Sequence, residues 1–176
     1  AVFLGVVHRL DRPVSGVVLF ARTSKAAERL TAQFRERTVE KVYLGVVAGS
    51  RMEGSGCVDH WLSKDAQANR VHIVAEGDEG ARRAVTEWRR LERRSDLTLL
   101  ELRPSTGRAH QLRVACKSLG APLAGDLKYG APAPLPDKSI ALHAAQIAFD
   151  HPTRGERLEF SAPLPHAPIW EGWSAG

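Results

Sequence analysis

Cysteine is scarce in this chain. Cys57 and Cys116 are the two it has, and neither has a partner at metal-ligand or redox-motif spacing. Two cysteines make a poor disulfide framework for a secreted domain, so the expected compartment is reducing and cytoplasmic. Long apolar runs are missing as well. None approaches the roughly 20 residues of a membrane span, and the apolar opening Ala1 to Val7 is shorter than a signal-peptide core and has no basic leader. No HxxxH or CxxC pair occurs, which leaves His8, His110 and His143, with Asp11 or Asp126 as a fourth ligand, without metal-site spacing; no metal and no cofactor are expected. Neither Ser15 nor Ser105 sits in a nucleophile turn of the GxSxG kind, which weighs against a serine hydrolase.

Negative charge is in deficit. Against 20 Asp and Glu stand 25 Lys and Arg, a formal net charge of +5 and a sequence pI ≈ 9.6. Such a surface suits a polyanionic partner without proving one. With 43% hydrophobic and 26% charged residues the composition is that of a folded globular chain. Its 176 residues suffice for one compact domain, and a single catalytic domain over 1–176 is expected. The chain enters an apolar segment at once from Ala1, so the expectation is an N-terminally incomplete domain.

The patterning predicts a buried strand over Gly16–Ala21, then a helix capped by Thr23 or Ser24 and running to about Arg37, with Ala27, Leu30 and Phe34 on one stripe. Val42–Ala48 reads as a strand, 49–56 as a glycine- and serine-rich loop, and Cys57–Leu62 and Arg70–Val74 as shorter strands. Ala84–Leu91 and Leu97–Arg103 read as a hairpin with charges at an edge or facing solvent. Leu112, Ala115, Cys116 and Leu119 predict an amphipathic helix over Arg108–Leu119 ended by Gly120. Pro132, Pro134 and Pro136 mark a surface loop, and Ala141–Phe149 and Leu158–Ala162 two late strands. Strands outnumber helices and do not alternate regularly with them, which predicts an α+β fold on a mixed, largely antiparallel sheet with a few flanking helices.

Three polar constellations lie where loops meet regular elements: His8, Arg9 and Asp11; the stretch Ser105 to Arg113; and Gly125 to Gly130 with Asp126 and Tyr129. Catalytic groups often occupy such places, because a rigid scaffold fixes them while substrate retains access. From spacing alone Asp11 reads equally well as a turn residue whose carboxylate accepts backbone N–H groups.

The segment HRLDRPVSG (His8–Gly16) resembles the signature of the RluA-like pseudouridine synthases. The likeness continues in order through FRERTVEKVYLGVVAG (34–49), STGRAHQLRV (105–114), GAPLAGDLKYG (120–130) and LHAAQIAFDHP (142–152). Five ordered motifs are far more specific than one. The resemblance implies the pseudouridine synthase fold and isomerisation of uridine in ribosomal or transfer RNA, with Asp11 as catalytic carboxylate and Arg113 as its charge partner. It also implies that Tyr43 stacks on the extruded uracil and assists removal of the ring proton, and that Arg9 enters the space left by the flipped base. His8, Arg108 and His110 are the further expected RNA-binding residues. The target base must be flipped, because the glycosidic bond of a stacked uridine is inaccessible.

Val14 stands where many members of that family have threonine, and Ala115 where a histidine is common. The strand that members carry before HRLD and the S4-like RNA-binding domain of some relatives do not appear. The expected partner is structured RNA and the expected state a monomer without membrane association. A catalytically incompetent RNA-binding fragment is the competing expectation. The arginine pairs Arg82–Arg83, Arg89–Arg90 and Arg93–Arg94, with Lys25, Arg29, Lys117 and Lys128, read either as a phosphate-holding surface or as solvated strand edges.

Overall fold

The computed structural model describes residues 3–48 and 52–174. Its elements in chain order are β1 (Gly5–Val6), β2 (Ser15–Gly16), β3 (Phe20–Ala21), α1 (Ser24–Glu36), β4 (Glu40–Ala48), β5 (Ser55–Asp65), β6 (Arg70–Val74), β7 (Arg82–Arg94), β8 (Leu97–Pro104), α2 (Gln111–Ser118), β9 (Leu142–Asp150) and β10 (Arg157–Ser161), with short 3₁₀ turns at Leu127–Tyr129 and Pro168–Trp170. Seven strands follow the order β10-β9-β4-β8-β7-β5-β6, and β2 joins beside β9. All pairings on that path are antiparallel, whereas β2 runs parallel to β9. The α+β expectation of a mixed, largely antiparallel sheet is met.

Strands at the centre of the sheet bury both faces, which is why they read as continuous apolar runs rather than alternations. Along β8, Leu100 and Leu102 pack with Val47 of β4 and with Leu112 and Cys116 of α2. Leu99 points to the opposite face and joins Leu44, Val46, Trp170 and Trp173. The helix α1 covers a separate cluster, in which Leu30 meets Ile147 and Phe149 of β9. Thr23 caps α1 by accepting the Ala26 N–H at 3.1 Å, and Arg37 ends it in the left-handed region at φ 62°.

Two sequence expectations are corrected. The strand foreseen over Gly16–Ala21 is interrupted: Gly16 has φ +122°, and a Cβ there would lie under 3.0 Å from the Ala144 backbone. Beyond it the Leu19 N–H is taken by the His8 side chain instead of a neighbouring strand. The helix foreseen over Arg108–Leu119 begins three residues later, because the Arg108 N–H is held by the Gln111 side chain and His110 is left-handed at φ 50°. Of the two readings of the hairpin's charges, the solvent-facing one holds: β7 lies between β5 and β8, and its Arg83, Arg89 and Arg94 side chains are exposed. Of the loop foreseen over 49–56, residues 49–51 lie outside the described residues, and Ser55 already belongs to β5.

Candidate active site

A cleft of about 590 Å³ opens where the loop 7–14 meets the start of β4, the loop 104–110 and the start of α2. The loop 7–14 is fixed at several points. Val14 N–H donates to the Asp11 carbonyl at 2.9 Å, closing a turn, and Ile140 N–H donates to the Pro13 carbonyl at 3.1 Å. The His8 Nε2 accepts the Leu19 N–H at 2.8 Å, and its ring stacks on Phe34 with centroids 4.9 Å apart. The Asp11 carbonyl makes the turn, and its carboxylate points elsewhere, so the turn-residue reading of that side chain is set aside.

That carboxylate faces Arg113. Arg113 Nη1 donates to Asp11 Oδ2 at 3.4 Å, while its Nε and Nη2 donate to the two oxygens of Asp126 at 2.7 Å each. A two-pronged bond to a carboxylate fixes the plane of a guanidinium. Asp126 is 1% exposed and Arg113 6%, so this pair is locked in the interior. The side chain of Asp11 is 29% exposed and opens on the cleft. Burial opposes the charge on Arg113, but the bonds to Asp126 and the charge of Asp11 outweigh it and hold its pKa above the ordinary value. The Arg113 guanidinium also lies 4.9 Å from the centroid of the Tyr129 ring.

The Tyr129 hydroxyl accepts the Val71 N–H at 2.9 Å and lies 2.7 Å from His110 Nδ1. A phenol that donates to Nδ1 would place the His110 proton on Nε2, 3.9 Å from Asp11 Oδ2. Burial lowers the His110 pKa against the pull of Asp11, favouring the neutral form. His8 is lowered too, by burial and then by the charge of Lys41.

Alternation along the chain places Val39, Lys41 and Tyr43 on the cleft side. Burial, with Asp11 adding to it, pushes the Tyr43 phenol up to about 12. The group is therefore protonated at neutral pH in the free protein. Arg9 is exposed at the cleft wall, and Arg108 lines it with Nε donating to the Arg83 carbonyl at 3.0 Å. All the expected site residues, Asp11, Tyr43, Arg113, Arg9, His8, Arg108 and His110, border this one cleft.

Gln111, Thr106 and Lys41 escaped the sequence reading. Gln111 is buried, and its amide is fully used: Oε1 accepts from the Thr106 hydroxyl at 2.7 Å and from the Arg108 N–H at 3.0 Å, while Nε2 donates to the Val85 carbonyl at 2.9 Å and Thr86 Oγ1 at 3.0 Å. It ties the loop carrying Arg108 and His110 to β7. Lys41 was legible, since it stands two positions from Tyr43 in a strand and shares its face.

His143 stands apart from the cleft, with Nδ1 2.8 Å from Ser15 Oγ and Nε2 3.3 Å from the Ala162 carbonyl. Ser15 and His143 thus pair across β2 and β9, but no acid stands behind the imidazole. No group of three or more metal-ligating side chains occurs among the described residues. Several arginines of the basic pairs are held by carboxylates: Arg83 by Asp59, Arg89 by Glu101, Arg90 by Glu53 and Arg94 by Glu92.

Residues 3–118 match the family model described as RNA pseudouridylate synthase. The chain belongs to that family. Among relatives, a Bacillus subtilis protein called uncharacterized RNA pseudouridine synthase YlyB is 40% identical over 161 residues, covering 92% of this chain and 52% of its own length. The ribosomal large subunit pseudouridine synthase C of Vibrio cholerae is 38% identical over 168 residues, again 92% of this chain and 52% of the relative. The chain spans about half the length of these relatives. The solved structure of human RNA pseudouridylate synthase domain containing 4 superposes with a TM-score of 0.77 at 28% identity, over 93% of this chain and 72% of that one. Human RNA pseudouridylate synthase domain containing 1 gives 0.76 at 30% identity, over 94% and 71%. The RluA-like resemblance of the five motifs and the fold it implied both stand.

Proposed function

We propose that this pseudouridylate synthase family member isomerises uridine to pseudouridine in structured RNA, with Asp11 as the reacting carboxylate. The observation that carries this reading is the Asp11 carboxylate at the cleft, facing an arginine whose Nε and Nη2 are both held by the buried Asp126. A guanidinium held in this way keeps its charge beside Asp11 and cannot swing off to solvent, so the carboxylate is oriented before substrate arrives. The cleft volume falls in the range of small-ligand sites, about 300–1,000 Å³, which suits one flipped nucleotide rather than a duplex.

In the reaction the bond from uracil N1 to the ribose C1′ breaks, the ring rotates, C5 bonds to C1′, the C5 proton is lost and N1 takes up a proton, so atoms balance. An ionised carboxylate serves either as nucleophile, at the ribose or the ring, or as the initiating base. Tyr43 stacks on the extruded ring and, being protonated, donates a hydrogen bond to it. Tyr43 also assists removal of the C5 proton once the ring is reattached, the role the resemblance gives it. Arg9 enters the stack in place of the base. Arg108 meets the RNA backbone, and His8 and His110 wall the nucleotide in. The isomerisation moves no electrons to an acceptor and consumes no water, so its chemistry calls for no redox cofactor and no metal-activated water.

The targets are ribosomal or transfer RNA in the cytoplasm, a reading supported by a relative called a ribosomal large subunit pseudouridine synthase. The test is tritium release from bulk RNA labelled at uridine C5. Release by the chain and none by Asp11→Asn supports the reading. RNA binding that is indifferent to that substitution, with no release, would make the chain a binding module and refute it.

A further inference from the structure

Six cationic side chains border the cleft: Arg9, Arg35, Arg37, Lys41, Arg108 and Arg113. Asp11 is the one carboxylate among the lining residues. Arg113 is neutralised from behind by Asp126, and Arg35 lies near Glu36 at 3.5 Å. Arg9 and Arg37 are exposed, whereas Arg108 and Lys41 are half-buried, and of these two Lys41 shares the face of Tyr43 on β4. The Lys41 ammonium donates to the Thr106 carbonyl at 3.3 Å, and among the described residues no Asp or Glu forms an ion pair with it within 4.0 Å. Its neighbour in sequence, Glu40, engages Arg157.

A cation withdrawn from water without a counter-ion is unfavourable unless something negative completes the site. Burial accordingly lowers the Lys41 pKa. Retaining a lysine in the floor of a cleft, rather than an apolar residue, implies a ligand that brings the missing charge. Position narrows the choice. Lys41 and Tyr43 project from the same face of β4 two residues apart, a separation of about 6.8 Å along a strand. A nucleotide whose base lies on Tyr43 can reach across that interval with its own phosphodiester.

We propose that Lys41, with the Thr106 carbonyl holding its ammonium in place, forms an anion subsite that binds a backbone phosphate of the flipped nucleotide. The proposal rests on the RNA-directed reading given above. A single point charge at the phosphate fixes the nucleotide's depth in the cleft without reading its sequence. It acts on the ground-state complex and the transition state alike, so it contributes to KM more than to kcat.

The test is the affinity of the whole chain for a fluorescent oligouridylate RNA, measured from low to moderate salt, for wild type, Lys41→Met and Lys41→Arg. Thermal melts verify that each variant is folded. Lys41→Met is expected to weaken binding about tenfold at low salt and to reduce the slope of log affinity against log salt by about 0.7, the increment for one phosphate contact on a single strand. Lys41→Arg should restore both. In parallel, the extra affinity of uridine 5′-monophosphate over uridine should vanish in Lys41→Met. An unchanged slope in a folded Lys41→Met, or a loss of kcat at constant KM, would overturn the subsite. Absence of tritium release by the wild type would sink the synthase reading instead, and the binding measurements would still decide the fate of the subsite.

Discussion

Asp126→Asn changes one atom and should unfold much of what holds the site. In the wild type both Asp126 oxygens accept charge-assisted bonds from Arg113 at 2.7 Å, in an environment where the two residues are 1% and 6% exposed. An asparagine can accept one of those bonds, but its amide then faces a guanidinium N–H, donor against donor. The Arg113 charge is left with Asp11 alone, across a 3.4 Å bond. Breaking a buried pair from one side costs about 3–5 kcal/mol, since the surviving charge remains buried. At roughly 2–4 °C per kcal/mol for a chain of this size, the melting temperature should fall by about 6–20 °C. Asp11→Asn is the control, because Asp11 opens on the cleft and makes one long bond; its stability cost should stay under about 1 kcal/mol. Urea unfolding followed by the four tryptophans reads both variants, with equal slopes in denaturant expected. Replacing Arg113 and Asp126 together by apolar residues of similar volume should recover most of the loss. If Asp126→Asn unfolds within about 1 kcal/mol of wild type, or Asp11→Asn costs as much, the argument from burial is refuted.

Gln111→Leu removes an amide that satisfies four separate groups, Thr106, Arg108 N–H, Val85 carbonyl and Thr86. At about 1–3 kcal/mol for each group that water cannot reach, the loss should exceed roughly 2 kcal/mol in urea titration; a neutral variant would show that the network has no energetic role. Tyr43 and Tyr129, the two tyrosines of the chain, are both raised: Tyr43 to about 12 by burial and the charge of Asp11, and Tyr129 by burial. The folded chain thus keeps phenolic protons that the unfolded chain gives up from pH 10. The resulting stability is complete below pH 10 and is lost as pH rises through 12. Tyrosinate absorbance should stay low at pH 10 while circular dichroism remains native, and half-titration at pH 10 in the folded chain would contradict the burial of both rings.

Much of the fold was legible because the central strands carry their burial in composition. The runs at Val42–Ala48 and Ala141–Phe149 are apolar on both faces, and the structure covers both faces of each. The Thr23 cap and the stripe Ala27, Leu30, Phe34 placed α1 within a residue at either end. What failed was local and polar. Nothing in the pattern of Gly16–Ala21 reveals that the Leu19 N–H is claimed by a histidine eleven residues earlier. The start of α2 was misplaced because periodicity carries no sign that the Gln111 amide bonds Thr106, Arg108, Val85 and Thr86 around the first turn. The charges of β7 left an edge and a solvent-facing strand open, and the structure has an interior strand whose exposed arginines reach carboxylates on its neighbours, as Arg89 does to Glu101. Side-chain reach of this kind depends on tertiary neighbours and leaves no periodic trace.

The site shows why its residues lie so far apart in sequence. Asp11 and Arg113 are separated by 102 positions, and each is positioned by its own set of anchors. The loop of Asp11 is held by His8 on Leu19, by Pro13 on Ile140 and by Ser15 on His143. Arg113 takes its height from the start of α2, which Gln111 and the left-handed His110 determine, and its plane from Asp126. Two carboxylates share this guanidinium but differ in burial, and burial divides their roles. Asp126, sealed off and doubly bonded, fixes the cation's orientation. Asp11, singly bonded and open to the cleft, retains the lone pairs that chemistry requires. An arginine tied to Asp11 alone would follow it out toward solvent, whereas one tied behind to Asp126 leaves the carboxylate as the group free to meet a substrate.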